Sequence, residues 1–190
     1  MIYIENKQII NWFTEFPVIE TERLVLCHID VSFVPAVYEI MSNENVVKYY
    51  DCFPFTTYAE AETLIQHFEN RYINCSGIRW GILLKETGAY IGDIGFNSFQ
   101  LGGNAVIGYA LHEYYWNKGL ISEALASVVY FGFTTLQIHR VEAYVSVGNY
   151  GSEKVLVKNG FAYEGFLRDV QFFREQYQSL NLFAKINTGV

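Results

Sequence analysis

The sequence predicts a single α/β (α+β) domain built on a mixed, largely antiparallel sheet of about seven strands, with helices on both faces. Three observations carry this expectation. The chain has 190 residues, 51% of them hydrophobic and 17% aromatic, enough for one substantial core. No proline-rich linker, repeat or low-complexity tract divides it. Its periodic segments run strand, two helices, three strands, helix, strand, helix and strand pair, an order that suits a mixed sheet covered on two sides. Residues 1–190 are therefore read as one domain, with 1–20 a candidate N-terminal extension packing on the core.

Arg23 to Ile29 alternates as a strand, and Asp30 introduces a helix with Pro35 in its first turns and Val37, Ile40 and Met41 on one face. Thr57-Tyr58-Ala59-Glu60 has the form of a capping box, followed by Ala61, Leu64, Ile65 and Phe68 at helical spacing. Trp80 to Leu84 and Ala89 to Phe96 flank Lys85-Glu86-Thr87-Gly88, a hairpin connection with glycine where positive φ is wanted. Gly102-Gly103-Asn104 then turns the chain into Val106 to Leu111. Ser122 is placed to cap a helix whose apolar face is Ala124, Leu125, Val128, Val129 and Phe133. Arg140 to Val147 reads as a strand, Ser152 to Asn159 as a helix ended by Gly160, and Phe161 to Phe173 with Tyr177 to Ile186 as a closing strand pair.

Composition narrows the function. Cys27, Cys52 and Cys75 are odd in number and lack C-x-x-C spacing, which fits reduced thiols. His28, His67, His112 and His139 show no metal-ligand spacing, so no metal is expected. A formal charge of −7 disfavours nucleic acid and favours a cationic partner. No apolar run approaches the roughly 20 residues of a membrane span, and the start of the chain lacks a secretory pattern. The expected setting is the cytoplasm, and a homodimer is compatible with the reading.

Tyr114 to Ala124 is the most informative stretch. It reads as a strand exit, a basic glycine turn and the first turn of an amphipathic helix. Such a helix entrance leaves backbone N–H groups without partners, carries the positive end of the macrodipole, and lets a phosphate approach closely at glycine. Trp116 to Ala124 is thus a candidate pyrophosphate socket. No G-x-G-x-x-G follows the first strand and no G-x-x-x-x-G-K-[ST] occurs, which argues against dinucleotide and nucleoside triphosphate sites.

This turn is similar to the coenzyme A turn of the GNAT acyltransferases, Gln/Arg-x-x-Gly-x-Gly/Ala. Gly119 sits on the central glycine, while Trp116 replaces Gln/Arg and Ile121 replaces the last Gly/Ala. The form Tyr-Trp-x-Lys-Gly-x-x-x-Glu-Ala resembles the Rim-type ribosomal-protein N-terminal acetyltransferase branch. Thr21-Glu22-Arg23-Leu24-Val25-Leu26 is similar to that branch's opening strand, with Cys27 where an arginine usually follows. Ile107 to Leu111 is similar to its fourth strand. Asn149-Tyr150-Gly151-Ser152, then Gly160-Phe161 and Glu164-Gly165, are similar to its ending, so the resemblance spans roughly residues 20–186.

The resemblance implies a GNAT-like domain that uses acetyl-CoA. In such a fold the fourth and fifth strands splay, pantetheine pairs with the backbone of Tyr109, Ala110 and Leu111, and Trp116, Asn117, Lys118, Gly119, Leu120, Ile121 and Ser122 surround the pyrophosphate. Asn149 would bridge to pantetheine or satisfy the turn before a helix. The Leu111 N–H would serve as oxyanion donor, and Ser152 as partner of the thiol, as a helix cap, or as both. The tyrosine acid of many GNAT enzymes falls here on Leu156, and a carboxylate base of one Rim-type lineage falls near Gln171. Asp93 and Glu164 are the substitute bases. Tyr49 to Phe55 lies where an acceptor would enter, as lid packing or as substrate contact. The implied activity is acetyl transfer to a primary amine by direct attack, foremost a protein N-terminal α-amine. The alternatives are an antibiotic or polyamine acceptor and a noncatalytic acyl-CoA sensor.

Overall fold

In the computed structural model, which describes residues 15–189, the strands are β1 (Ile19–Glu20), β2 (Leu24–Cys27), β3 (Ile78–Leu84), β4 (Tyr90–Phe99), β5 (Asn104–Leu111), β6 (Arg140–Ser146), β7 (Ala162–Phe173) and β8 (Gln176–Ile186). They form one sheet in the order β1-β2-β3-β4-β5-β6-β8-β7. The strand beyond the expected seven is β1, a two-residue segment pairing Ile19 with Leu26 and Glu20 with Val25. Of the anticipated extension, residues 1–14 lie outside those described. Trp80 Nε1 donates to Pro17 O at 2.7 Å, and the Phe16 ring sits 6.0 Å from that of Trp80.

Between β2 and β3 run α1 (Val34–Met41), the short α2 (Glu44–Val47) and α3 (Tyr58–Ile73), one helix more than the sequence reading gave. Asp30 caps a 3-10 turn, Val31–Phe33, and α1 starts only after it. Asn43 creates α2, since its side chain accepts the Asn45 N–H at 2.9 Å. The capping box forms as expected, with Glu60 Oε2 accepting the Thr57 N–H at 2.9 Å. The later helices are α4 (Leu120–Thr134) and α5 (Tyr150–Lys158).

Two helix starts differ from the sequence reading. Ser122 lies inside the first turn of α4 because left-handed Gly119 (φ +75°) is the N-cap, its carbonyl accepting Glu123 N–H at 3.1 Å. Asn149, not Ser152, caps α5, with Oδ1 accepting the Ser152 N–H at 3.2 Å.

The core has two buried clusters divided by the sheet. Ala110 packs with Val37, Ile40, Val47 and Ile65 of α1–α3, whereas its neighbour Leu111 packs with Leu120, Ala124 and Leu125 of α4. Adjacent strand residues facing opposite clusters place helices on both faces.

Every strand pairing is antiparallel except that of β5 with β6. These two pair only over Asn104↔Arg140, Ala105↔Val141 and Val106↔Glu142, while β6 stays paired to β8 as far as Ser146. Beyond Val106 the two strands part. A parallel pair brings both following helices in at the same end, so α4 and α5 begin beside one gap.

Candidate functional site

The gap is a cavity of about 370 Å³. Its β5 wall is Tyr109, Ala110 and Leu111. The α4 side contributes Trp116, Asn117, Gly119, Leu120 and Ile121, and the α5 side Asn149, Ser152 and Val155. Asn45, Val46, Tyr49, Tyr50 and Tyr115 complete much of the lining. A crevice at the carboxyl ends of a diverging parallel pair is the place where α/β sheets bind ligands.

The turn entering α4 is shaped by two left-handed residues, Asn117 (φ 60°) and Gly119 (φ 75°). Asparagine tolerates this region and glycine adopts it freely. A Cβ built on Gly119 would meet only Arg23 Nη2, at 3.6 Å, so conformation rather than space requires the glycine. The first-turn amides of Leu120, Ile121 and Ser122 have no carbonyl one turn back to bond, and turns of this kind make anion-binding concavities. The turn is tied from below: Arg23 Nη1 donates to Lys118 O at 3.0 Å, and Arg23 Nε meets Glu123 Oε2 at 2.7 Å. Glu123 Oε1 also accepts from Thr21 Oγ1 and Arg23 N. Burial pushes the Glu123 carboxyl up, but these hydrogen bonds and the Arg23 charge outweigh it and hold the group below its ordinary value.

Two predicted contacts point elsewhere. Lys118 Nζ rests over the Tyr114 ring, 4.0 Å from its centroid, so its charge is held by an aromatic face rather than among the lining groups. Ser122 Oγ accepts from Asn159 Nδ2 at 2.8 Å, which leaves Ser122 its backbone N–H for the turn.

The β5 edge differs from the expected run of three free backbone residues. His112 N–H donates to Ile91 O, so by the alternation of an antiparallel ladder Ala110 directs its N–H and C=O at β4. Ala110 therefore offers no backbone group to the gap. Tyr109 and Leu111 face it, and both carbonyls are already engaged. The Tyr50 hydroxyl donates to Tyr109 O, and Trp116 Nε1 donates to Leu111 O at 2.8 Å. What the two residues present is N–H, that of Leu111 included.

Asp93 is withdrawn from the site. It is 2% exposed and paired with Arg79 Nη2 at 2.6 Å, while Arg79 Nη1 donates to Asn97 Oδ1 at 2.8 Å. A buried carboxylate held by a guanidinium is a structural ion pair, not a base awaiting a proton. Glu164 is excluded likewise, because both its oxygens accept from Arg140 and this bonding holds its carboxyl low.

Ser152 faces the cavity, and its Oγ lies 2.7 Å from Tyr109 Oη. Desolvation pushes the Tyr109 phenol up to about 12, with the Ser152 hydrogen bond pulling the other way. Burial likewise raises Tyr50 well above its ordinary value. Tyr49 Oη donates to Gly148 O at 2.9 Å, and Ser146 Oγ donates to Tyr49 O at 3.0 Å, so the Tyr49-Tyr50 segment is sewn across both diverging strands. The sequence placed this segment near the acceptor and gave Tyr109 only a backbone role. Their hydroxyl bonds join positions 43 to 99 residues apart, which no local pattern marks.

Residues 23–162 match the family described as the acetyltransferase (GNAT) domain. The uncharacterized N-acetyltransferase YoaA of Bacillus subtilis is 37% identical over 158 residues, 83% of this chain and 89% of that protein. The ribosomal-protein-serine acetyltransferase of Escherichia coli is 35% identical over 97 residues, 50% of this chain and 54% of that protein. Among solved structures, RimL, a ribosomal L7/L12 alpha-N-protein acetyltransferase in complex with coenzyme A, superposes with a TM-score of 0.80. It is 23% identical, over 90% of this chain and 98% of that one, a likeness of fold.

Proposed function

The chain belongs to the GNAT N-acetyltransferases, and from that premise we propose that it moves an acetyl group from acetyl-CoA to the α-amine of a polypeptide N-terminus, with a ribosomal protein as acceptor. The pyrophosphate sits on the turn from Asn117 to Ser122, held by backbone amides and the α4 dipole. Bound in the gap, acetyl-CoA supplies a thioester carbonyl, toward which the Leu111 N–H acts as oxyanion donor. Ser152 hydrogen-bonds the departing sulfur. The amine nitrogen bonds to the carbonyl carbon, the C–S bond breaks with its electron pair going to sulfur, and the proton lost by nitrogen balances the thiol.

The observation that carries the choice of acceptor is the make-up of the lining. Among the described residues that line the cavity, the ionisable side chains are tyrosines: Tyr49, Tyr50, Tyr109, Tyr115 and Tyr150. With no carboxylate or imidazole among them, the acceptor must arrive largely neutral. An α-amine with pKa near 8 is roughly a tenth neutral at pH 7, and a lysine amine near 10.4 less than about a thousandth. The relation to ribosomal-protein acetyltransferases supports the same acceptor class.

Release of CoA thiol is to be measured with a peptide bearing a free N-terminus, the same peptide N-blocked but carrying lysine, and a polyamine. The free N-terminus is expected to react about a hundredfold faster, following the neutral fractions. Equal rates on the free and blocked peptides contradict the acceptor assignment.

A further inference from the structure

The hydroxyl chain behind Ser152 defines a role for Tyr109 that acetyl transfer as described does not use. Tyr109 Oη lies 2.7 Å from Ser152 Oγ and 3.4 Å from Ser152 O. A phenol is a stronger acid than an alkyl hydroxyl, and Ser152 Oγ is nearer to it than Ser152 O, so the phenol donates to Oγ. Ser152 then has one proton of its own to place. Because Ser152 is the third residue of α5, the carbonyl four residues back lies outside the helix. Here that carbonyl belongs to Gly148 and already accepts the Tyr49 hydroxyl at 2.9 Å. Asn149 Oδ1 is taken by the Ser152 N–H. The hydrogen bond that Ser152 Oγ makes among the described residues is to Tyr109, and with Tyr109 donating from behind, the Ser152 O–H points into the cavity that Ser152 lines.

We propose that Tyr109 is a positioning residue. By donating to Ser152 Oγ it fixes the serine so that the serine proton is aimed at the sulfur of CoA, and the relay Tyr109 to Ser152 to sulfur polarises in one direction. A hydrogen bond to a thiolate is stronger than one to a thiol, so the relay favours the charged form that departs when the C–S bond breaks. The inference rests on the reading of the gap as the acetyl-CoA site.

The test compares the affinity of CoA with that of desulfo-CoA, which has no thiol, by calorimetry across pH 7 to 9.5. In the wild-type protein the preference for CoA is expected to grow about tenfold as the thiol ionises. Tyr109→Phe and Ser152→Ala should each cut that growth to under about threefold, and the double variant should lose no more than either alone, because the two act as one chain. Desulfo-CoA affinity is expected to stay within about twofold of wild type, which a general disturbance of the fold would not allow. Growth retained in Tyr109→Phe but lost in Ser152→Ala overturns the inference. So does additive loss in the double variant. Should Tyr109→Phe not fold, Ser152→Ala reads the pair from its other end, and growth retained there overturns it as well. A wild-type protein that binds CoA without any growth overturns only this inference; failure to bind CoA at all removes the proposed function with it.

Discussion

At Gly119 the backbone sits at φ +75°, where a β-branched residue is strained by about 1–2 kcal/mol, although the space beside it is open. Gly119→Val is therefore expected to distort the turn and weaken acetyl-CoA binding about tenfold, measured by calorimetry, with little direct loss of side-chain contact. Asp93 calls for the opposite prediction. Because its carboxylate neutralises buried Arg79, Asp93→Asn should cost about 3 kcal/mol of stability in denaturant titration, while the folded fraction keeps its acetyl-CoA affinity. A selective loss of turnover without destabilisation would return Asp93 to the chemistry. The sequence showed both residues, yet only the surroundings separate them. Glycine after a lysine marks a turn by itself, whereas an aspartate in a strand carries no sign of the arginine fourteen residues away.

The elements divide in the same way. The capping box of α3 and the apolar faces of α1 and α4 were legible because their signals lie within one or two turns. α4 and α5 are capped three residues ahead of Ser122 and Ser152, the caps that sequence suggests, because left-handed Gly119 and the Asn149 side chain hold those positions. The clamp beneath α4 was not legible, for it joins Thr21 and Arg23 of the β1–β2 corner to Glu123 a hundred residues on. Its pH dependence follows from the lowered Glu123 value. A carboxyl depressed on folding contributes stability that is full above its ordinary 4.5 and is lost as pH falls through the folded value. Glu123→Gln should thus lower stability by about 1 kcal/mol at pH 7, discounted for the half-exposed Arg23, and flatten the acid limb of the stability profile below about pH 4.5. An unaltered acid limb would show that the clamp contributes nothing to the turn.

For the molecule as a whole, the order of strands and helices led to the right sheet, apart from the two-residue β1 and the short α2. The splay between β5 and β6 depends on where pairing stops, at Val106 and Glu142, and stopping a ladder leaves no mark on either strand's own pattern. The tyrosine bridge from Tyr49 and Tyr50 to Gly148 and Tyr109 closes the same gap for the same long-range reason. Since a ligand that binds only the native state stabilises it by mass action, acetyl-CoA at a hundredfold excess over Kd should add about 2.7 kcal/mol and raise the melting temperature. Amide hydrogen exchange with and without acetyl-CoA locates that binding. Exchange is expected to slow at Leu120, Ile121 and Ser122 and at Tyr109 and Leu111, where N–H groups face the gap. Unchanged exchange at the α4 entrance while the protein is stabilised elsewhere would contradict it.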